Sequence, residues 1–252
     1  GDAITVAFGT NVGIQTAVAD QYGSFIASWT VDVQRYGTTT ITASGVGTAT
    51  NVFRIMPAVD SVMPTIGTVG MNITISGTGY AANDKLNIAF GTKTSIQTAI
   101  AGSYGSWTSS FTIDTQVYGS TLITTRGTWS EAATNSLFIM PDICFVSPSK
   151  GIVGTLVTVK GTGYAAVDTV IIRFGTNDNI QSSISDNKGY FEAMFTVDTQ
   201  AVGRTTIKAF SLMSATAENV FEIIGGVMIS PSSGTIGTTI ELNGSGFGSL
   251  DL

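Results

Sequence analysis

Histidine is absent from this sequence, cysteine occurs once (Cys144), and only 11% of the residues carry charge. Without His the chain lacks the commonest general base, the commonest metal ligand and the side chain that titrates near neutrality. A single Cys excludes an internal disulfide framework. The 11 Lys and Arg are scattered through a chain of net charge −6. Nucleic-acid binding needs clustered cations over phosphates, so that class of partner is excluded. No apolar run approaches the roughly 18 residues of a membrane helix, and no signal-peptide pattern opens the chain. The expectation is a chain with no catalytic residues, no metal, no cofactor and no membrane span.

What takes the place of charge is Thr, Ser, Ala and Gly, with 30 Gly among 252 residues. Hydrophobic residues still make up 43%, enough apolar surface to order the chain by burial. These residues are arranged in copies. The string FGT stands at Phe8–Thr10, Phe90–Thr92 and Phe174–Thr176, offset by 82 and 84 residues, and Ile-Gln follows each time at Ile14, Ile96 and Ile180. WTVD, FTID and FTVD end at Asp32, Asp114 and Asp198, and a recurring Asn stands at Asn51, Asn135 and Asn219. A second block runs from Met63 to Asp84, recurs from Ser147 to Asp168, and recurs again from Ser230 to Asp251. Self-similarity at a fixed period is the signature of a repeat architecture.

Within each copy the apolar pattern has period two. Ile73 and Ile75 alternate with polar neighbours, as do Val157 and Val159, then Ile240 and Leu242. Phe25, Trp29 and Val31 continue that alternation, as do Phe111 and Ile113. Thr-, Val-, Ile- and Phe-rich runs between Gly-containing turns read as half-buried antiparallel strands. In the middle copy they are expected near 59–63, 70–77, 85–91, 94–101, 106–114, 119–126 and 132–140. The fold class is all-β: tandem immunoglobulin-like sandwiches, about seven strands per repeat of ~83 residues. The expected division is 1–56, an incomplete unit lacking its first strands; 57–140 and 141–225, complete units; and 226–252, the first strands of a further unit.

The runs PTIGTVGMNITISGTGY (64–80), PSKGIVGTLVTVKGTGY (148–164) and PSSGTIGTTIELNGSGF (231–247) resemble the opening of IPT/TIG-type immunoglobulin-like repeats. The FGT turn, the Gly-aromatic turns at Gly105–Trp107 and Gly189–Phe191, and the closing FTVD run resemble versions arrayed in archaeal and bacterial surface proteins. The resemblance implies an extracellular or cell-surface location. It leaves open a filament, surface-layer, adhesin-stalk or enzyme-accessory role, because fold does not dictate function.

Candidate sites are few. Asp84 and Asp168 after the GTGYAA turn, and Asp32, Asp114 and Asp198 at strand ends, read either as turn caps bonding nearby amides or as calcium ligands. Their repetition favours caps. Glu192, Glu218 and Glu222 lack repeated partners and read as surface acids rather than a glycosidase pair. By periodicity Trp29, Phe111 and Phe195, and likewise Phe25, Trp107 and Phe191, are core positions. Trp129, with Leu212 and Met213 in the corresponding loop of the last copy, marks a contact between units or a ligand platform such as one for cell-surface glycans. Cys144 reads as a small buried apolar residue, with an intermolecular disulfide as the alternative. Asn72-Ile-Thr and Asn243-Gly-Ser are N-glycosylation sequons.

Residues 226–252 supply opening strands with no remainder, and residues 1–56 a remainder with no opening strands. Ile236, Ile240, Leu242 and Phe247 would stay wet unless this segment completes a half-unit of a neighbour. Burying four such side chains gains roughly 6–12 kcal/mol gross. The expected partner is therefore the protein itself, joined head to tail by strand complementation. A covalent joint within a longer repeat chain is the alternative, and in that case the native polypeptide is far heavier than 26.1 kDa. An adhesin or carbohydrate-binding stalk, or the accessory array of a larger secreted protein, are the competing functions.

Overall fold

A computed structural model describes residues 1–247, so Asp251 lies outside the described residues. Every regular element among them is a strand. By contacts the chain divides into two compact units: 1–65, 72–112 and 121–137 in one, and 66–71, 113–120 and 138 onward in the other.

The first unit opens with β1 (Ala3–Phe8), β2 (Asn11–Val18), β3 (Gly37–Ser44) and β4 (Thr48–Ile55), in one sheet of order β2-β1-β3-β4. The chain continues with β5 (Ala58–Met63), β6 (Ile66–Gly67), β7 (Asn72–Thr78), β8 (Lys85–Phe90), β9 (Lys93–Ile100), β10 (Trp107–Thr112), β11 (Gly119–Gly127) and β12 (Ala132–Ile139). Of these, β10-β7-β5 form a three-stranded sheet, and β12-β11-β8-β9 lie side by side in a second. The two inner faces meet through Ile73, Ile75, Ile88, Phe90, Phe111 and Leu137, all buried.

The second unit repeats this arrangement with β13 (Asp142–Ser147), β14 (Lys150–Gly151), β15 (Leu156–Thr162), β16 (Thr169–Phe174), β17 (Asn177–Ile184), β18 (Phe191–Thr196), β19 (Gly203–Phe210) and β20 (Ala217–Ile223). Sheets β13-β15-β18 and β14-β20-β19-β16-β17 enclose a core that includes Val157, Val159, Phe174, Phe195, Ile207 and Phe221. Two short strands not expected from the sequence, β6 and β14, pair parallel with the ends of β12 and β20. Each takes the chain briefly to the edge of the larger sheet before it returns to the three-stranded one as β7 or β15. A hairpin follows, β21 (Gly226–Ser230) with β22 (Glu241–Ser245), paired Gly226↔Ser245 through Ser230↔Glu241.

The fold is therefore all-β, in tandem immunoglobulin-like sandwiches. The FGT motif has a local cause. Its Phe is buried, and its Gly (Gly9, Gly91 and Gly175, φ 52–55°) opens a two-residue hairpin loop, since Phe90 pairs with Lys93. A positive φ there suits the twist of the flanking strands, and Gly reaches it without strain.

One expectation fails. The alternating run Phe25–Val31 forms no strand, although its counterparts β10 and β18 do. Those counterparts are strands because β7 and β15 pair with them. No strand pairs with 25–31 among the described residues. A ladder needs two sides, so a run of the same alternating pattern stays irregular where one side is missing.

Candidate assembly interface

The first sheet has no facing sheet among the described residues, and its inner face is open. Phe53 is 44% exposed, whereas its counterparts Leu137 and Phe221 are 0% exposed. Phe25 and Val31 are likewise exposed, and Trp29 is half-buried, where Trp107, Phe191, Ile113, Val197, Phe111 and Phe195 are buried. The periodicity therefore placed Phe25 and Trp29 in a core that their own half-sandwich does not close. Trp29 still meets Phe8 (ring centroids 6.1 Å), as Phe111 meets Phe90 (5.4 Å) and Phe195 meets Phe174 (5.2 Å). Val31, Val33, Phe53, Ile55 and Met56 also line a groove that takes in Asp32, Gln34 and Arg54 and reaches Thr78 and Gly79 at the end of β7.

The unpaired segment is nevertheless held in place. Gln15 Nε2 donates to the Ser28 carbonyl at 2.9 Å. Gln97 does the same to Ser110 (3.1 Å) and Gln181 to Met194 (2.9 Å), holding β10 and β18 in the complete sandwiches. Asp32 anchors the end of the segment, accepting from Asn11 Nδ2 (3.2 Å) and Gln34 Nε2 (2.8 Å), just as Asp198 accepts from Asn177 and Gln200. Asp20 Oδ1 ties its start through the amides of Tyr22 and Ser24. The segment is thus positioned as β10 and β18 are, with the edge that would take a partner strand free.

The β21–β22 hairpin has the converse deficit. Leu242 is 63% exposed, against 0% for its counterparts Ile75 and Val159, and Phe247 is 60% exposed, against 0% for Tyr80 and Tyr164. Ile240, Ile229 and Ile236 are also exposed. Ile236 corresponds to Val69 and Val153, which are only half-buried, so it is the weakest of the four anchors read from the sequence.

Three features went unread in the sequence. Asn135 Nδ2 donates across the sandwich to the Val59 carbonyl, and Asn219 Nδ2 to the Ile143 carbonyl, both at 2.9 Å. Among the described residues Asn51, the third member, has no such cross-sandwich acceptor, and its Oδ1 accepts locally from the Val52 amide. Phe53 and Val31 were also missed as parts of the open face. The recurrence of Asn was visible, but its direction across the sandwich was not.

Of the other predicted residues, Asn243 lies on β22 itself, and Trp129, Leu212, Met213, Asn72 and Cys144 belong to the two sandwiches. Trp129 (65% exposed), Leu212 and Met213 are exposed on the β11–β12 and β19–β20 loops. The Trp129 loop is clamped by Asp84, a fully buried carboxylate accepting from the Thr128 amide (2.8 Å), the Trp129 amide (3.2 Å) and Ser130 Oγ (2.7 Å). Asp84 thus serves a loop distant in sequence rather than capping its own turn. Asn72 and Asn243 are exposed, and Asn243 Nδ2 donates to Glu241 Oε1 (3.1 Å). Cys144 is exposed rather than buried, because Ile143 takes the inward position on β13 and turns its neighbour outward. Partial burial and nearby Asp142 push its thiol pKa up.

No family model matches this chain, and no curated protein matches it in sequence. Similar solved structures include the Yersinia pseudotuberculosis adhesin InvE (TM-score 0.30, 11% identity, 67% of this chain and 58% of that one). Another is the Bacteroides ovatus glucan-locus protein SGBP-B, solved with a mixed-linkage heptasaccharide (TM-score 0.31, 11% identity, 90% of this chain and 62% of that one). The fibronectin(III)-like modules of Clostridium thermocellum CbhA are a third (TM-score 0.24, 14% identity, 67% of this chain and 93% of that one). The chain spans about three-fifths of the first two. Likenesses this distant say nothing of what the chain binds.

Proposed function

We propose that this protein is a structural subunit of an extracellular filament or surface layer, in which the β21–β22 hairpin of one copy completes the half-sandwich of the next. In this reading 57–140 and 141–225 are complete units, 1–56 is the acceptor, and the segment from 226 is the donor.

One observation carries the reading. The seam that would join two copies is already built twice within the chain, and both of its halves recur, separated, at the open surfaces. In the complete sandwiches Phe111 pairs with Ile73 and Phe195 with Val157, while Trp107 pairs with Gly77 and Phe191 with Gly161. Carried over position by position, Trp29 pairs with Ile240 and Phe25 with Gly244. Ser233 and Gly234 take the seats that Ile66–Gly67 and Lys150–Gly151 hold beside β12 and β20, now beside Arg54 and Ile55. Asn51 Nδ2 finds the Gly226 carbonyl, as Asn219 finds that of Ile143.

The acceptor segment is pre-positioned by Gln15 and Asp32, which lowers the ordering cost of docking. A joint of this kind buries different surfaces on its two sides. Heterologous contacts that do not close build an open filament. The test is the size distribution of the full chain by sedimentation and electron microscopy as concentration rises. A ladder of head-to-tail oligomers is expected, and a chain that stays a monomer at high micromolar concentration refutes the proposal.

A second reading, a carbohydrate-binding surface module, rests on Trp129, a large exposed ring on a loop whose backbone is locked by Asp84. Under it, Trp129→Ala abolishes binding on a glycan array. Under the first reading the same change leaves head-to-tail association intact.

A further inference from the structure

We infer that Gly244 is the register key of this joint, a notch reserved for the Phe25 ring of the neighbouring copy; the inference rests on the polymer reading above. Its counterparts Gly77 and Gly161 show what such a glycine is for. Neither they nor Gly244 has a positive φ, so backbone conformation does not demand glycine at any of the three. Space does. A Cβ on Gly77 would lie 2.7 Å from Trp107 Nε1 and 2.2 Å from the Ala58 carbonyl oxygen. On Gly161 it would lie 2.2 Å from Phe191 Cε1 and 2.9 Å from the Asp142 carbonyl oxygen. In each case the facing ring lies over the glycine and meets a tyrosine edge to face, Tyr80 with Trp107 at 6.0 Å and Tyr164 with Phe191 at 5.1 Å.

Gly244 sits in the same place on β22 with no such ring above it. A Cβ there would meet the Phe247 ring, first at 3.0 Å, and that ring is itself 60% exposed. None of its three nearest atoms is backbone. Within its own hairpin, only that exposed ring would have to shift to admit a side chain here. The ring that matches Trp107 and Phe191 in sequence is Phe25, which stands exposed on the open half-sandwich. Phe247, in the place of Tyr80 and Tyr164, supplies the edge-to-face partner.

The notch also selects the register. A slip of one residue turns the apolar positions of β22 outward. A slip of two toward the middle of β22 sets the Phe25 ring against Leu242, whose side chain fills the space that glycine leaves. A slip of two the other way sets it at Gly246, which lies past the end of β22 with φ 67°, where the extended ladder has stopped. On β22 itself only one alignment seats the ring, and it is the alignment that also pairs Trp29 with Ile240.

The test uses the full chain with Gly244→Ala, Phe25→Ala and the double variant, each followed by sedimentation, with circular dichroism and thermal melting to confirm that the chain folds as the wild type does. Gly244→Ala is expected to leave the melt unchanged and to weaken association about tenfold to a hundredfold, the scale of overpacking by one methyl group. Phe25→Ala removes the ring that the methyl group strikes, so the double variant should associate no more weakly than Gly244→Ala alone, a non-additive outcome for one shared contact. If Gly244→Ala associates like a wild type that itself associates, or the two losses simply multiply, the register key is overturned and the polymer reading stands. A wild type that never associates overturns both.

Discussion

Replacing Leu242 with Ala separates a residue that stabilises its own chain from one held for a neighbour. In the hairpin the side chain is 63% exposed, while its counterparts Ile75 and Val159 are fully shielded in completed sandwiches. A Leu→Ala change in a core costs about 2–5 kcal/mol. Since about a third of the Leu242 surface is already covered in the free chain, the part that falls on association is about 1.3–3 kcal/mol. That weakens the joint roughly 10- to 150-fold. The melting temperature of the free chain should hardly move, because little is buried there to lose. Sedimentation velocity across a concentration series reads the first effect and calorimetry the second. Leu122→Ala, on an outward position of β11 that is 55% exposed, serves as the control and should change neither. If Leu242→Ala associates as the wild type does, or if it melts several degrees lower as a monomer, the hairpin is not a donor and the reasoning from equivalent positions fails.

Asn219→Ala should lower chain stability by about 1–2 kcal/mol in denaturant titration, since the Ile143 carbonyl loses its donor, whereas Asn51→Ala should leave that titration unchanged and weaken association instead. Asp84→Ala strips the acceptor from the Thr128 and Trp129 amides and from Ser130 Oγ; a loss of about 3 kcal/mol and a melting decrease of roughly 6–12 °C are expected by calorimetry. Burial of the hydroxyls raises the pKa values of Tyr80 and Tyr164 above the ordinary tyrosine value of 10.0. The raised folded value means this contribution is complete below about pH 10 and is lost as pH climbs from there toward the folded pKa. Tyr164→Phe should therefore cost about 1 kcal/mol at neutral pH, through the lost bond to the Ala209 carbonyl, and should flatten the alkaline slope of stability.

The repeat, its length and its strands could be read from the chain because they depend on near neighbours. Alternation at Ile73 and Ile75 dictates which face of β7 turns inward, and the FGT turn needs only its own Gly to close. Whether a run such as Phe25–Val31 becomes a strand is a different kind of question. Its residues satisfy every local rule that β10 and β18 satisfy, and it stays irregular because the strand that would accept its hydrogen bonds is not beside it. The turn reading of Asp84 had the right residue and the wrong partner, because its amides come from a loop more than forty residues away. Cys144 was misassigned for a related reason: one position along a strand decides inside from outside, and the register of β13 was not visible in composition.

Sequence alone determined the period, the sandwich class and the absence of histidine, since each is a matter of which residues are present and how they are spaced. Tertiary structure alone decided which faces remain open, that Gln15 and Asp32 hold the unpaired segment ready, and that among the described residues Gly244 meets no ring from a facing strand where Gly77 and Gly161 do. Those facts depend on what lies across the sheet, and distance along the chain carries no record of that.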